Sequence, residues 1–181
     1  MTELALVLPI LLILVLGIGD LGRVFAVGVM TESAARDAAE IVAQQYLIDY
    51  PLAAPSSAPS GYYAGLHLKG ARAVCAELKS LPNTVATGVI CSGMPLMFVC
   101  VHDGVDDACS TEPFGDPVPA RCDQLDLVQH PITNALPGGT ETSRFVEVRL
   151  CYDFTPLTHS LFFVVPEIYM QQTRTFTVAD Y

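Results

Sequence analysis

The chain has 181 residues, the size of one ordinary domain, and its composition of 51% hydrophobic against 15% charged residues excludes an intrinsically disordered chain. Nineteen acidic residues against nine basic ones give a formal net charge of -10. No basic stripe remains to track phosphates, which excludes nucleic acid as a partner.

The first element contains "ALVLPILLILVLGIGDLGRVF", residues 5 to 25. Residues 4 to 19 are uncharged; as a helix they span about 24 Å, short of the ~30 Å hydrocarbon core of a bilayer. The apolar pattern resumes at residues 24 to 30, and Asp20 and Arg23 stand three apart on one helical face, where they can neutralise each other. Counting on to Met30 therefore makes a span possible. A removable secretory signal would show a basic start and a small-residue cleavage site. Here Glu3 precedes the run, and the first basic residue is Arg23. Pro9 removes one backbone hydrogen bond and crowds the carbonyl of Ala5, which predicts a kink or local melt. Gly17, Gly19, Gly22 and Gly28 let another helix approach closely, as small residues do in membrane bundles. The plainer alternative is an anchor in which these glycines carry no meaning.

The helical pattern continues without a break. Residues 24 to 50 contain no proline and the alanines Ala34, Ala35, Ala38, Ala39 and Ala43, with an apolar stripe through Val27, Met30, Ala34, Ala38, Ile41 and Tyr46. Pro51 biases the residue before it away from helix. The expectation is one helix from about Thr2 to about Ile48, about 70 Å long, of which half must project beyond any bilayer.

These residues carry a family resemblance. "TELALVLPILLILVLGIGDLGRVFAVGVMTESAARDAAE" resembles the N-terminus of the TadE-like minor pseudopilins of tight-adherence (Tad, or Flp) pili. Glu3 stands at that family's near-terminal glutamate, Pro9 at its proline, and Asp20, Gly22 and Arg23 at its acid-x-Gly-Arg signature. Leu4 and Leu21 stand where phenylalanine is common. "VEVRLCYDFTPLT" and the closing "QQTRTFTVADY" resemble the family's last two strands, while residues 50 to 143 match nothing in it. The resemblance implies a helix embedded in the inner membrane or a filament, an extracytoplasmic domain, and a role in assembling a pilus. Its partners would be other pilin-like subunits, pilus assembly proteins or copies of the chain itself. A prepilin peptidase joins them where a leader precedes the glutamate. A glutamate in an apolar helix start is costly unless paired; pilin-like assembly offers it the free amine of a neighbouring chain, and an interfacial position is the alternative.

The rest reads as an α+β domain. The expected organisation is a stem over residues 1–50, a Pro/Ser linker over 51–63, able to carry glycans but read first as a spacer, and an extracytoplasmic domain over 64–181. Residues 64 to 81 suit a second helix with Leu68, Ala71, Val74, Cys75 and Leu78 on one face. Residues 85 to 91 and 96 to 101 read as a hairpin around "SGMP". In "RFVEVRLCYDF", Val146, Val148, Leu150, Tyr152 and Phe154 alternate with Glu147, Arg149 and Asp153, which predicts a strand with one face in the core and the other partly wet. A last strand covers about residues 169 to 178. About four antiparallel strands with helix packed on one face give a pilin-like layer arrangement.

An acid-rich stretch separates the hairpin from the third strand. Residues 103 to 126 hold seven acids against Arg121, and the spacing predicts a long loop over about 102–143. Asp103, Asp106 and Asp107 could offer oxygen ligands to calcium, although their spacing is not that of an EF-hand and a solvated acidic surface is the commoner use. The six cysteines, Cys75, Cys91, Cys100, Cys109, Cys122 and Cys151, include no C-x-x-C pair, which reads as disulfides in an oxidising compartment. Cys109 with Cys122 is the favoured pair, stapling the acidic loop. Zinc held by Cys100, His102, Cys109 and Cys122 is the competitor. The remaining cysteines would cross-link core elements.

Catalysis finds no support. No G-x-S-x-G, H-E-x-x-H or phosphate-cradling glycine loop occurs, and His67, His102, His130 and His159 are scattered. Three readings follow: a pilus assembly protein acting through its N-terminal helix, a major subunit of an extracellular filament, or a membrane-anchored domain that binds an ion or ligand through its acidic loop.

Overall fold

A computed structural model of the chain describes residues 2–49, 61–81, 85–87, 90–92, 96–102, 107–110, 144–157 and 168–178. The first element, α1 (Thr2–Asp49), is a single helix of 48 residues that runs through Pro9 without interruption, so the melt expected there does not occur. At 1.5 Å per residue it is about 70 Å long. The second helix, α2 (Tyr62–Leu78), starts two residues before the expected position, behind Gly61 at φ 81°. That left-handed backbone suits glycine because it has no Cβ. Residues 51–60 of the expected linker lie outside the described residues.

The strands are β1 (Val85–Thr87), β2 (Ile90–Ser92), β3 (Leu96–His102), β4 (Asp107–Ser110), β5 (Arg144–Phe154) and β6 (Ile168–Val178). The main sheet is antiparallel with order β4-β3-β5-β6. Its longest ladder pairs Arg144 with Val178 and runs on to Phe154 opposite Ile168. The expected hairpin of residues 85–91 with 96–101 does not form. Residues 85 to 92 fold back on themselves as β1-β2, with Thr87 opposite Ile90, and β3 joins the main sheet instead. The acid-rich stretch is also not loop throughout, since β4 pairs with β3, Cys100 facing Cys109.

One core lies between α1, α2 and the front of the sheet. Ala34, Ala35, Ala38, Ala39, Val42 and Ala43 of α1 are buried against Val74 and Leu78 of α2 and Val146, Val148 and Leu150 of β5. Small side chains on α1 let its backbone come close to both layers. Gly70 does the same for α2: a Cβ there would meet Val42 Cγ2 at 3.1 Å and Val99 Cγ2 at 3.4 Å. The disulfide Cys75–Cys91, with Cα atoms 5.5 Å apart, ties α2 to β2.

The back of β5 departs from expectation. Phe145, Glu147, Arg149 and Cys151 alternate with the core residues, yet they are buried as well. Glu147 and Arg149, two apart on the same side of the strand, form an ion pair there. Removing either charge alone would take from a buried charge its opposite partner in this ion pair, a costly change.

Candidate functional site

The helix α1 has two halves of different character. Along residues 7–19 the apolar side chains stand exposed: Leu8 is 55% accessible, Val15 67% and Ile18 71%. An 18-residue window of α1 has a mean hydropathy of 2.2 with only 11% of it buried, which makes α1 long and apolar enough to cross a membrane. From Asp20 onward one side of the helix is buried, beginning with Asp20 itself at 6% and continuing through Val27, Thr31, Ala34 and Ala38.

The transition is built from four residues. The Asp20 carboxylate accepts the backbone N–H of Leu157 at 3.0 Å, and Arg23 Nη1 lies 3.3 Å from the same oxygen. The Arg23 guanidinium sits over the Phe154 ring, 5.2 Å from its centroid. Phe154 ends β5 and Leu157 follows it, so the strand terminus is fastened to the helix at the point where the exposed stem begins. Two turns beyond Arg23, Thr31 Oγ1 lies 2.9 Å from the carbonyl of Val27 and 3.0 Å from that of Gly28, which satisfies a buried hydroxyl.

The electrostatics of this collar reach Tyr152. Burial pushes its hydroxyl above the ordinary value of 10.0; the nearby Arg23 cation works against that shift and the Asp153 carboxylate adds to it. A second link between helix and sheet is the ion pair of Glu32 with Arg174 of β6. The two residues face an open cleft of about 490 Å³, lined also by Arg36, Ala39 and Phe176.

Of the residues singled out in sequence, Asp20 and Arg23 do pair with each other, and Asp20 also holds the domain. That second role moves the boundary of any membrane span. Because the domain is attached at Asp20, the length of α1 free to span a bilayer is residues 2–19, which cover about 27 Å, close to the hydrocarbon thickness. Sequence reasoning missed Phe154 and Leu157, since nothing local to "YDFTPLT" points to a helix 137 positions away. Gly17, Gly19, Gly22 and Gly28 have open surroundings: a Cβ on any of them would meet nothing within 4 Å. The chain's own packing does not require them to be glycine.

An apolar stripe continues past the collar on the outer side of α1. Ile18, Leu21, Phe25 and Val29 recur at three- and four-residue steps and are 71%, 70%, 74% and 52% exposed. It ends at the charged residues Glu32 and Arg36.

The side-chain role expected of Glu3 lies outside the described residues, as do Asp103, Asp106 and the side chain of Asp107 for calcium. The side chains of Cys109 and Cys122 lie outside them too. Among the described residues no group of histidine, cysteine and acidic side chains is placed to hold a metal ion. Cys100 is disulfide-bonded, so its sulfur is no thiolate ligand for the zinc alternative.

The family model of TadE-like proteins matches residues 1–40. The match therefore covers the exposed stem, the Asp20 and Arg23 half of the collar, and the buried alanines that follow. It stops short of α2 and the sheet, so the similarity to TadE-like proteins is confined to the N-terminal segment. Neither the curated proteins nor the solved structures give a significant match.

Proposed function

We propose that the chain is a pilin-like, TadE-like component of a pilus, acting in assembly through packing of its N-terminal helix against the helices of other pilin-like subunits. The exposed stripe Ile18, Leu21, Phe25 and Val29 carries this reading. A lone anchor needs apolar surface only inside the bilayer, and its helix should turn polar outward once the domain begins. Here the outward face stays apolar for about two turns beyond the collar, with Gly22 on the same face open to a neighbour. In water that surface is costly, at about 25 cal/mol per Å² of apolar area, and a partner helix removes the cost. The TadE-like match over the same residues gives the partner its kind.

The reading is structural rather than catalytic, and it sets the domain outside the cytoplasm, consistent with the disulfide Cys75–Cys91. The test is substitution on the stripe. Phe25→Glu and Gly22→Leu are expected to leave the thermal midpoint of the detergent-solubilised full chain unchanged, because neither position packs within the chain. Both are expected to abolish co-purification with other pilus subunits and surface filaments. Normal filament production by cells carrying both variants would sink the proposal. Bulk sequencing of sheared filaments then separates an assembly component, absent or scarce in the mass, from a major subunit.

A further inference from the structure

Cys100 and Cys151 are each disulfide-bonded, and Cys75 and Cys91 are bonded to each other. The partners of the first two therefore come from one another or from Cys109 and Cys122, the remaining cysteines. The strand register decides among them.

Cys100 of β3 stands opposite Glu147 of β5, and Cys151 lies four residues further along β5. At ~3.3 Å per residue the two are about 13 Å apart, well outside the ~4.4–6.8 Å between Cα atoms that a disulfide spans. They are not bonded to each other. Cys109 of β4 stands directly opposite Cys100. Opposed Cα atoms in an antiparallel pair lie about 4.5–5.5 Å apart, inside the disulfide range. Strands are ~4.8 Å apart, so Cys109, on the far side of β3 from β5, is about 16 Å from Cys151. That separation leaves Cys122 for Cys151.

We infer that the disulfide framework is Cys75–Cys91, Cys100–Cys109 and Cys122–Cys151, in place of a Cys109–Cys122 staple. The first bond of the new pair locks β4 to β3. The second fastens the acid-rich stretch between β4 and β5 to the back face of β5, where Cys151 lies on the same side as the buried Glu147–Arg149 ion pair. Each bond forms by exchange with an oxidised dithiol carrier of the exporting compartment. One thiolate attacks the carrier disulfide and the second displaces the carrier thiol. Two protons and two electrons leave each cysteine pair, and the carrier is reduced to its dithiol. The inference is independent of the pilus reading, since it concerns how the domain is tied together rather than what the stem contacts.

Peptide mapping of the unreduced full-length protein, exported and alkylated before digestion, tests it with trypsin alone. Cleavage after Arg72, Lys79, Arg121, Arg144, Arg149 and Arg174 separates the cysteines into peptides 73–79, 80–121, 122–144 and 150–174. The expected result is two linked species: 73–79 joined to 80–121, the latter with one internal bond, and 122–144 joined to 150–174. In addition, Cys122→Ser is expected to free an alkylatable thiol at Cys151. Any link from 80–121 to 122–144 or to 150–174, an alkylated cysteine in the wild-type protein, or a free thiol at Cys109 in the C122S variant overturns the assignment.

Discussion

The backbone N–H of Leu157 donates to the Asp20 carboxylate at 3.0 Å, joining two residues 137 positions apart. An acidic residue in an apolar helix needs a reason, and here it has two: Arg23 compensates its charge, and the strand terminus supplies a donor. Hydrogen bonds to a charged group contribute about 1.5–3 kcal/mol. Asp20→Ala is therefore expected to lower the stability of the domain by about 2 kcal/mol, read as a drop in the thermal midpoint of the full chain in detergent. Asp20→Asn keeps an acceptor for Leu157 and is expected to lose less. Equal losses in the two variants would mean that charge, rather than the Leu157 bond, holds the junction.

Arg23 contributes through its ring contact as well as its ion pair. A guanidinium over an aromatic face is worth ~0.5–1 kcal/mol at a partly exposed site, and the Arg23 side chain is about one-third exposed. In a double-mutant cycle with Arg23→Gln and Phe154→Leu, the coupling energy is expected to fall in that range. A coupling indistinguishable from zero would reduce the 5.2 Å approach to simple packing.

Gly70 is a point of close approach between α2 and its neighbours. Its missing side chain leaves room for Val42 on α1 and for Val99 and Met97 on β3. Val42 is β-branched and stiff within its helix, so it cannot rotate away cheaply. Gly70→Leu is expected to destabilise the domain by about 3 kcal/mol, at the upper end for overpacking, as measured by denaturant unfolding. An unchanged midpoint would show that α2 can slide off α1.

Much of this fold is legible in the sequence because it rests on local periodicity. The 48-residue helix follows from the apolar stripe and the proline after it, and β5 follows from the alternation of Val146, Val148, Leu150, Tyr152 and Phe154. What depends on distant partners is not legible. Glu147 and Arg149 read as a wet face because charged side chains usually are, yet they are buried as an ion pair. The 85–92 hairpin was hidden by a continuous β-prone run, in which Gly88 was the only turn signal. The collar is half legible: the acid-x-Gly-Arg pattern marks Asp20 and Arg23, while the Leu157 donor is a backbone group that no side-chain pattern announces.

The Cys75–Cys91 bond closes a segment that contains the end of α2, β1 and the first two of the three residues of β2. A disulfide closing a loop of about this size contributes ~3 kcal/mol in the chain-entropy model. Replacing both cysteines by alanine is expected to cost about that amount, read as a lower denaturant midpoint with little change in slope. A loss below about 1 kcal/mol would mean that this part of the unfolded chain is already compact without the bond.

Alkaline pH probes the collar from the side of Tyr152. Its folded-state pKa is raised, chiefly by burial, above the ordinary value of 10.0. The native state therefore keeps this proton at a pH where the unfolded chain has released it. Linkage then fixes the sign: this contribution to stability is complete below about pH 10 and is lost as the pH rises from there toward the folded-state pKa. The thermal midpoint of the wild-type protein is expected to fall above pH 10 more steeply than that of Tyr152→Phe, which has no proton to lose; the other six tyrosines titrate in both proteins and cancel in the difference. Because the Arg23 cation works against the shift, adding Arg23→Gln to the wild-type background is expected to steepen the alkaline decline, and to leave it unaltered in Tyr152→Phe. Parallel curves for the wild-type protein and Tyr152→Phe would show that the hydroxyl ionises in the folded state as readily as in water, and that the collar leaves it open to solvent.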